Sequence, residues 1–167
     1  MIILHPKIWK ILAFSLTFLI TSCAVFKPEK TFSKSGLTVT FRSLNSLNDI
    51  QSIKFRYPII ISEKQLLNHF LSFWHQRILS PGKPKPVFHL EEAAKIAPLL
   101  SSALKKVEPG KYLNFEFQSS KGLIEGQVFA TAKKLHWRFL KIHNENFSDD
   151  PMRIRKPTWK LALIPGQ

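Results

Sequence analysis

The chain has 167 residues, 25 Lys and Arg against 11 Asp and Glu, and a single cysteine. One cysteine excludes an internal disulfide framework, and a hydrophobic fraction of 44% excludes a chain that is mainly disordered. The length fits one domain with its own core, and the net charge of +14 favours an anionic partner.

The N-terminal segment has the composition of a secretory signal. Lys7 and Lys10 precede an uncharged apolar run over residues 11–20. A basic segment followed by a short apolar run is typical of a signal peptide, whereas a membrane-spanning helix needs about 20 apolar residues. Residues 1–22 are therefore predicted to be a signal peptide.

The next four residues, Ile20-Thr21-Ser22-Cys23, place the cysteine directly behind the apolar run. This stretch resembles the lipobox of bacterial lipoproteins. The resemblance implies cleavage before Cys23, diacylglycerol on its thiol and an acyl chain such as palmitate on the new amino terminus. Ala24, rather than Asp, follows the cysteine, which is similar to lipoproteins sorted to the outer membrane. We therefore expect a lipid anchor at Cys23 in the outer membrane and a periplasm-facing chain. An ordinary signal, or an uncleaved helix with an incidental cysteine, stays open.

Residues 23–35 are predicted to be a lipid-anchored tether, because they show too little periodicity for a strand or helix. A single domain is expected over 36–167. Its first strand is predicted over 36–44, where apolar and polar residues alternate. A second extended stretch is expected over 53–61, at a sheet edge because it contains Pro58.

Two helices are predicted next. Ser62 and Gln65 form a capping-box pattern, followed by an apolar stripe that predicts a helix to about Leu79. A second helix is expected over 90–107, kinked or divided at Pro98. Glu91 and Glu92 lie in its first turn, where they complement the helix dipole.

Four more strands are predicted over 113–117, 123–131, 135–142 and 158–164, with a long polar loop before the last. The predicted order is β-β-α-α-β-β-β-β. This order indicates an α+β fold in which two helices pack on one face of an antiparallel meander.

The region 57–140 resembles a group of small bacterial lipoproteins of uncharacterised function. The residues that carry the resemblance are Phe88, Glu91, Glu92, Ala97, Pro98 and Leu99. His89 stands where that group has Thr or Ser, and the loop over 143–157 departs from it. The resemblance implies export and this architecture, and it implies no chemistry.

The chemistry-bearing residues form no recognisable catalytic or metal motif. There is no HExxH pattern, no Cys/His ligand set and no GxSxG nucleophile. The histidines are expected to be solvated or to cap helices. We therefore predict no enzyme activity, no metal and no cofactor.

The positive charge is concentrated near the C-terminus. A basic surface over 133–160 is predicted to contact an anionic ligand, and the candidate contacts are Arg153, Arg155, Lys156, Trp159 and Lys160. Trp159, between two lysines, is the best candidate for an exposed aromatic. An exported protein is not expected to bind nucleic acid. Two functions remain open: docking on a partner protein in an envelope or secretion assembly, and binding of an anionic envelope lipid, lipopolysaccharide or wall polymer.

Overall fold

The computed structural model describes residues 29–47, 54–132, 134–148 and 157–162. The fold is α+β, as predicted, and the sheets are antiparallel. Residues 20–23, predicted to be a lipobox, and Arg153, Arg155 and Lys156 lie outside the described residues. The helices are α1, Glu63–Ser72, and α2, Leu90–Leu104. The strands are β1 Thr31–Lys34, β2 Leu37–Ser43, β3 Trp74–Arg77, β4 Lys85–Pro86, β5 Lys111–Ser119, β6 Gly122–Ala130, β7 Leu135–Ile142, β8 Glu145–Asn146 and β9 Trp159–Ala162.

The larger sheet has the order β1-β2-β5-β6-β7-β8. Its register places Val39 opposite Phe115, and Phe115 opposite Gly126. Directly opposed residues share a face of the sheet, so these positions belong to one inner face. The predicted inner positions are confirmed in β5, where Leu113, Phe115 and Phe117 are buried, and in β2, where Leu37 and Val39 are buried. In β7 only Phe139 of the predicted positions is buried, while Leu135 and Trp137 are half-buried against the core, so burial does not alternate along that strand.

The N-terminal strand β1 was not expected. Residues 31–34 fall in the predicted tether, and the expectation of no regular structure there is wrong. β1 pairs with β2 through a two-residue turn in which both Ser35 and Gly36 have positive φ. Positive φ at both central residues matches the right-handed twist of a hairpin, so this dipeptide closes the strand pair.

Both helices pack against the inner face. Phe70 of α1 contacts Phe88 at a ring-centroid distance of 4.7 Å and Trp137 of β7 at 5.5 Å. The predicted cap of α1 is confirmed, since Gln65 N donates to Ser62 Oγ at 3.2 Å and Ser62 N donates to Gln65 Oε1 at 3.0 Å.

The end of α1 was predicted too late. The helix stops at Ser72, and Trp74–Arg77 forms β3 in a second sheet of order β4-β3-β9. The last strand, β9, pairs with β3 and does not extend the meander. Residues 74–78 continue a helical apolar spacing, but pairing with a strand more than 80 residues later overrides that local preference.

The structure also changes the expectations for the predicted strand over 53–61 and for Pro98 in α2. In the described part of the predicted strand over 53–61, the only β-bridge is a single one between Phe55 and Thr131. α2 runs without a break through Pro98, so it is not divided there. Its predicted apolar face is confirmed: Ala93, Ile96, Ala97, Leu100, Ala103 and Leu104 are buried.

Neither helix of the described chain is both long and apolar enough to cross a membrane.

Candidate anion-binding site

A cleft of about 520 Å³ opens where β3 and β4 of the small sheet meet two turns of the large sheet. We call it the His75 cleft. Its lining residues are His75, Gln76, Arg77, Ser80, Gly82, Lys83, Lys85, Lys121, His143 and Glu145.

His75 is the most buried residue of the lining, with 6% of its surface exposed. It lies in β3 opposite Leu161 of β9 and Lys85 of β4. Neither ring nitrogen of His75 has a hydrogen-bond partner among the described residues. Burial, with added repulsion from His143 and nearby lysines, lowers the pKa of His75 to about 4. The ring is therefore neutral near pH 7.

The turn between β7 and β8 brings His143 to the cleft. His143 and Asn144 both have positive φ, the geometry of a two-residue hairpin turn. Asn144 holds this turn against the start of β6, because Leu123 N donates to Asn144 Oδ1 at 2.8 Å and Asn144 N donates to Leu123 O at 3.0 Å. The ring of His143 then lies 5.3 Å from that of His75, edge to face.

His143 has a defined proton position. Its Nε2 lies 3.1 Å from Val87 O, and a carbonyl oxygen only accepts hydrogen bonds, so Nε2 must donate. Burial lowers the pKa of His143, and the hydrogen bond to Val87 opposes that shift only in part. Both histidines of the cleft are thus uncharged at neutral pH.

The charged lining is mostly positive. Arg77, Lys83, Lys85 and Lys121 stand against one carboxylate, Glu145. Arg77 Nε donates to both carboxylate oxygens of Glu145, at 2.8 and 3.0 Å, and Arg77 Nη2 donates to Oε1. This ion pair lowers the pKa of Glu145 and neutralises its charge locally, so the cleft keeps an excess of lysine charge.

Trp159, the predicted exposed aromatic, is buried, with 2% of its surface exposed, so that expectation is wrong. The ring packs edge to face on Phe147 at 5.0 Å, and Nε1 donates to Glu145 O at 3.2 Å. Pairing of β9 with β3 turns this side chain inward. Lys160 is exposed and, with Phe147 and Leu161, lines a separate groove of about 770 Å³. Arg153, Arg155 and Lys156 lie outside the described residues.

The residues of the His75 cleft come from parts of the chain that no motif connects. His75 was predicted to be solvated or to cap a helix, and its burial in a strand corrects that expectation. The one sequence signal was that lysines flank two turns, at Lys83, Lys85 and Lys121. The two histidines, 68 positions apart in the sequence, are brought together only by the pairing of the small sheet and by the turn after β7.

The donor set favours an anion over a cation. Within the described ranges, no three His, Cys, Asp or Glu side chains are grouped so that they could hold a metal ion. Ammonium and guanidinium groups predominate instead, and they attract oxyanions.

No family model matches the sequence, and no curated protein or solved structure matches it either.

Proposed function

We propose that this chain is a lipid-anchored envelope protein whose domain binds an anionic ligand in the His75 cleft. The proposed anchor is Cys23, on the resemblance of residues 20–23 to a lipobox, and the proposed site is the outer membrane. The observation that carries the binding proposal is the cleft, where three lysines line the same space as a buried histidine whose ring nitrogens have no hydrogen-bond partner among the described residues.

The ligand class follows from charge and location. The net charge of +14 becomes +12 once Lys7 and Lys10 of the proposed signal peptide are removed. In a bacterial envelope such a chain meets phospholipid headgroups, lipopolysaccharide phosphates and acidic wall polymers. The exposed ammonium groups of Lys85 and Lys121 are each expected to add a contact of about 1.4 kcal/mol to such a ligand. The proposed role is binding without chemical change, so the ligand is released intact.

The test is a charge reversal in the cleft. Lys85→Glu combined with Lys121→Glu should weaken binding of fluorescein-labelled polyphosphate and of lipopolysaccharide by about 100-fold, since about 1.4 kcal/mol per contact corresponds to tenfold each. Fluorescence anisotropy with the full chain in neutral detergent measures this. Binding by the wild type should weaken as salt rises from 0.1 to 1 M, because the Debye length falls from about 10 to 3 Å.

A matched control variant separates the effect of the cleft lysines from the effect of net charge. Lys64→Glu with Lys95→Glu makes the same change in net charge on exposed positions of α1 and α2. Binding by this control should fall by less than about threefold. Equal losses in the two variants would show that only overall charge matters, and a ligand recovered in altered form would contradict a binding role.

Docking on a partner protein is the second proposed function. One observation favours it: Phe147 and Leu161 line the second groove, and 40% and 45% of their surfaces are exposed. The occupant that fits is an envelope protein with apolar side chains flanked by acidic ones, since Lys160 borders the groove. Leu161→Asp should abolish crosslinking to such a partner in membranes, whereas Lys85→Glu with Lys121→Glu should leave that crosslinking unchanged.

A further inference from the structure

His75 is a buried polar group that finds no hydrogen-bond partner in the part of the chain that the structure describes. Almost all buried side-chain nitrogens have a hydrogen-bond partner, and each exception calls for an explanation such as a ligand. His75 has two such atoms, Nδ1 and Nε2, on one ring that lines the cleft. An apolar residue at this strand position would avoid the cost of burying them.

The groups that face His75 come from every element around it. The turn after β7 contributes His143, β8 contributes Glu145, β4 contributes Lys85 and the β5–β6 turn contributes Lys121. β9 places the apolar Leu161 opposite His75.

The balance of these groups favours an oxyanion beside the ring. Arg77, on the same strand, is occupied by Glu145, which leaves the lysines for a ligand. Glu92 and His89, which do not line the cleft, act electrostatically on His143.

We propose that the His75 cleft binds a phosphate monoester group and that His75 takes up one proton from solvent when the group binds. This inference rests on the proposed function and names its ligand chemistry and its regulation. A neutral imidazole carries no charge, whereas the protonated ring adds one positive charge beside the cleft. Both ring nitrogens are buried, so this charge stabilises the bound group electrostatically and not through a direct hydrogen bond.

A monoester fits better than a diester or a carboxylate. A phosphate monoester carries a charge of about −1.5 to −2 at pH 7 and three acceptor oxygens, so it gains from several ammonium groups at once. Lys83, Lys85 and Lys121 supply three such groups around one cleft. Diesters and carboxylates carry a single negative charge and gain correspondingly less.

The sign of the pH effect follows from the charges. Without ligand, burial and the neighbouring lysines keep His75 neutral down to a pKa of about 4. A bound dianion stabilises the imidazolium, so the pKa of His75 rises in the complex. Between the two pKa values one proton is bound per ligand, and affinity rises up to tenfold for each unit by which pH falls.

Sulfate and inorganic phosphate are the probes. Sulfate stays a dianion through this range, so any pH dependence of its binding to the full chain belongs to the protein. Isothermal titration calorimetry from pH 7.5 to 4.5, in buffers of different ionisation enthalpy, should give tighter sulfate binding at lower pH and uptake of about one proton. Inorganic phosphate itself titrates near neutral pH, so the protons that it releases on binding are subtracted before its proton uptake is compared with that of sulfate.

The decisive variant is His75→Gln, which keeps hydrogen-bonding atoms but cannot take up a proton. Its sulfate affinity should lose the pH dependence, while His136→Gln, on the outward face of β7, should retain it. The fold of each variant is checked by circular dichroism, and His75→Asn serves if the glutamine variant unfolds. Unchanged pH dependence in His75→Gln or His75→Asn would overturn the proposal.

Soluble competitors distinguish the source of the phosphate. Glucose 6-phosphate and dihexanoyl phosphatidic acid are both monoesters, and dihexanoyl phosphatidylglycerol is a diester. Displacement of labelled polyphosphate by the sugar phosphate alone indicates a soluble ester, and displacement by the phosphatidic acid as well indicates a lipid headgroup. If no monoester competes better than the diester, this inference fails, while salt-sensitive polyphosphate binding in the cleft would still leave the proposed function standing.

Discussion

Gly126 lies where the ring of Phe115 crosses the neighbouring strand. A Cβ at position 126 would meet two ring atoms of Phe115 at 2.7 Å and Arg138 O at 3.1 Å. Phe115 is buried with 1% of its surface exposed, and its ring also contacts Phe139 and Trp137. The absence of a side chain at 126 therefore allows the aromatic packing on the inner face.

Gly126→Ala should lower the free energy of unfolding by about 1–3 kcal/mol, the usual cost of overpacking a core. Gly82→Ala is the control, because a Cβ there meets no atom within 4 Å and φ is not in the left-handed region. Urea denaturation of both variants measures the difference. Equal stabilities would mean that the Phe115 ring moves aside without cost.

At the scale of elements, Glu92 joins the start of α2 to the β5–β6 turn. His89 N donates to Glu92 Oε2 at 3.1 Å, while Ser120 N and Ser120 Oγ donate to Oε1 at 2.8 and 2.9 Å. Burial raises the pKa of Glu92, but these hydrogen bonds outweigh it and hold the pKa below its usual value. Glu92 was expected only to complement the helix dipole. The structure shows that it also makes a tertiary contact with the β5–β6 turn.

Glu92→Gln should destabilise the fold by about 2 kcal/mol at pH 7, since an amide offers one acceptor oxygen where three hydrogen bonds are accepted now. Glu91→Gln is the matched control, because Glu91 is exposed in the same helical turn. The depressed pKa means that the contribution of Glu92 is present above about pH 4.5 and is lost as pH falls. Urea denaturation should show that the difference in the free energy of unfolding between the two variants is smaller at pH 3 than at pH 7. An equal difference at both pH values would argue against an effect of the Glu92 carboxylate.

At the scale of the whole molecule, β1 brings the domain close to the proposed anchor. The first strand begins at Thr31, so only residues 24–30 separate it from Cys23. An extended chain spans at most about 3.6 Å per residue, which limits the distance from Cys23 to Thr31 to roughly 30 Å. The proposed tether is thus short, and a ligand within the envelope must lie near the membrane that holds the anchor.

Cys23→Ser should abolish incorporation of radiolabelled palmitate in bacterial cells and release the protein from the membrane fraction, since two or more acyl chains are needed for stable attachment. Affinity for polyphosphate in detergent should stay unchanged, because the proposed cleft lies in the folded domain. Ser22→Ala, a neighbouring small-residue exchange, should still be labelled. Equal labelling of Cys23→Ser and the wild type would contradict the anchor.

The local elements of this fold were readable from the sequence because they rest on short-range chemistry. The inner positions of β2 and β5, the capping box at Ser62 and the apolar face of α2 are all confirmed. Each depends on residues within a few positions of one another, where period and hydrogen-bonding pattern are sufficient. The Ser35–Gly36 turn carried a comparable local signal that the tether assignment overlooked.

The small sheet and the His75 cleft were decided by tertiary structure. Residues 74–78 continue the apolar helical spacing of α1. Only the pairing of 74–77 with β9 makes this segment a strand. That pairing buries Trp159 and His75, and the turn after β7 brings His143 to the same place. Contacts between residues more than 60 positions apart leave no periodic trace in either segment, because each strand is stabilised by its partner and not by its own sequence. The sequence by itself therefore determined the charge, the leader pattern and the local elements, and the tertiary structure determined which histidine is buried among the lysines.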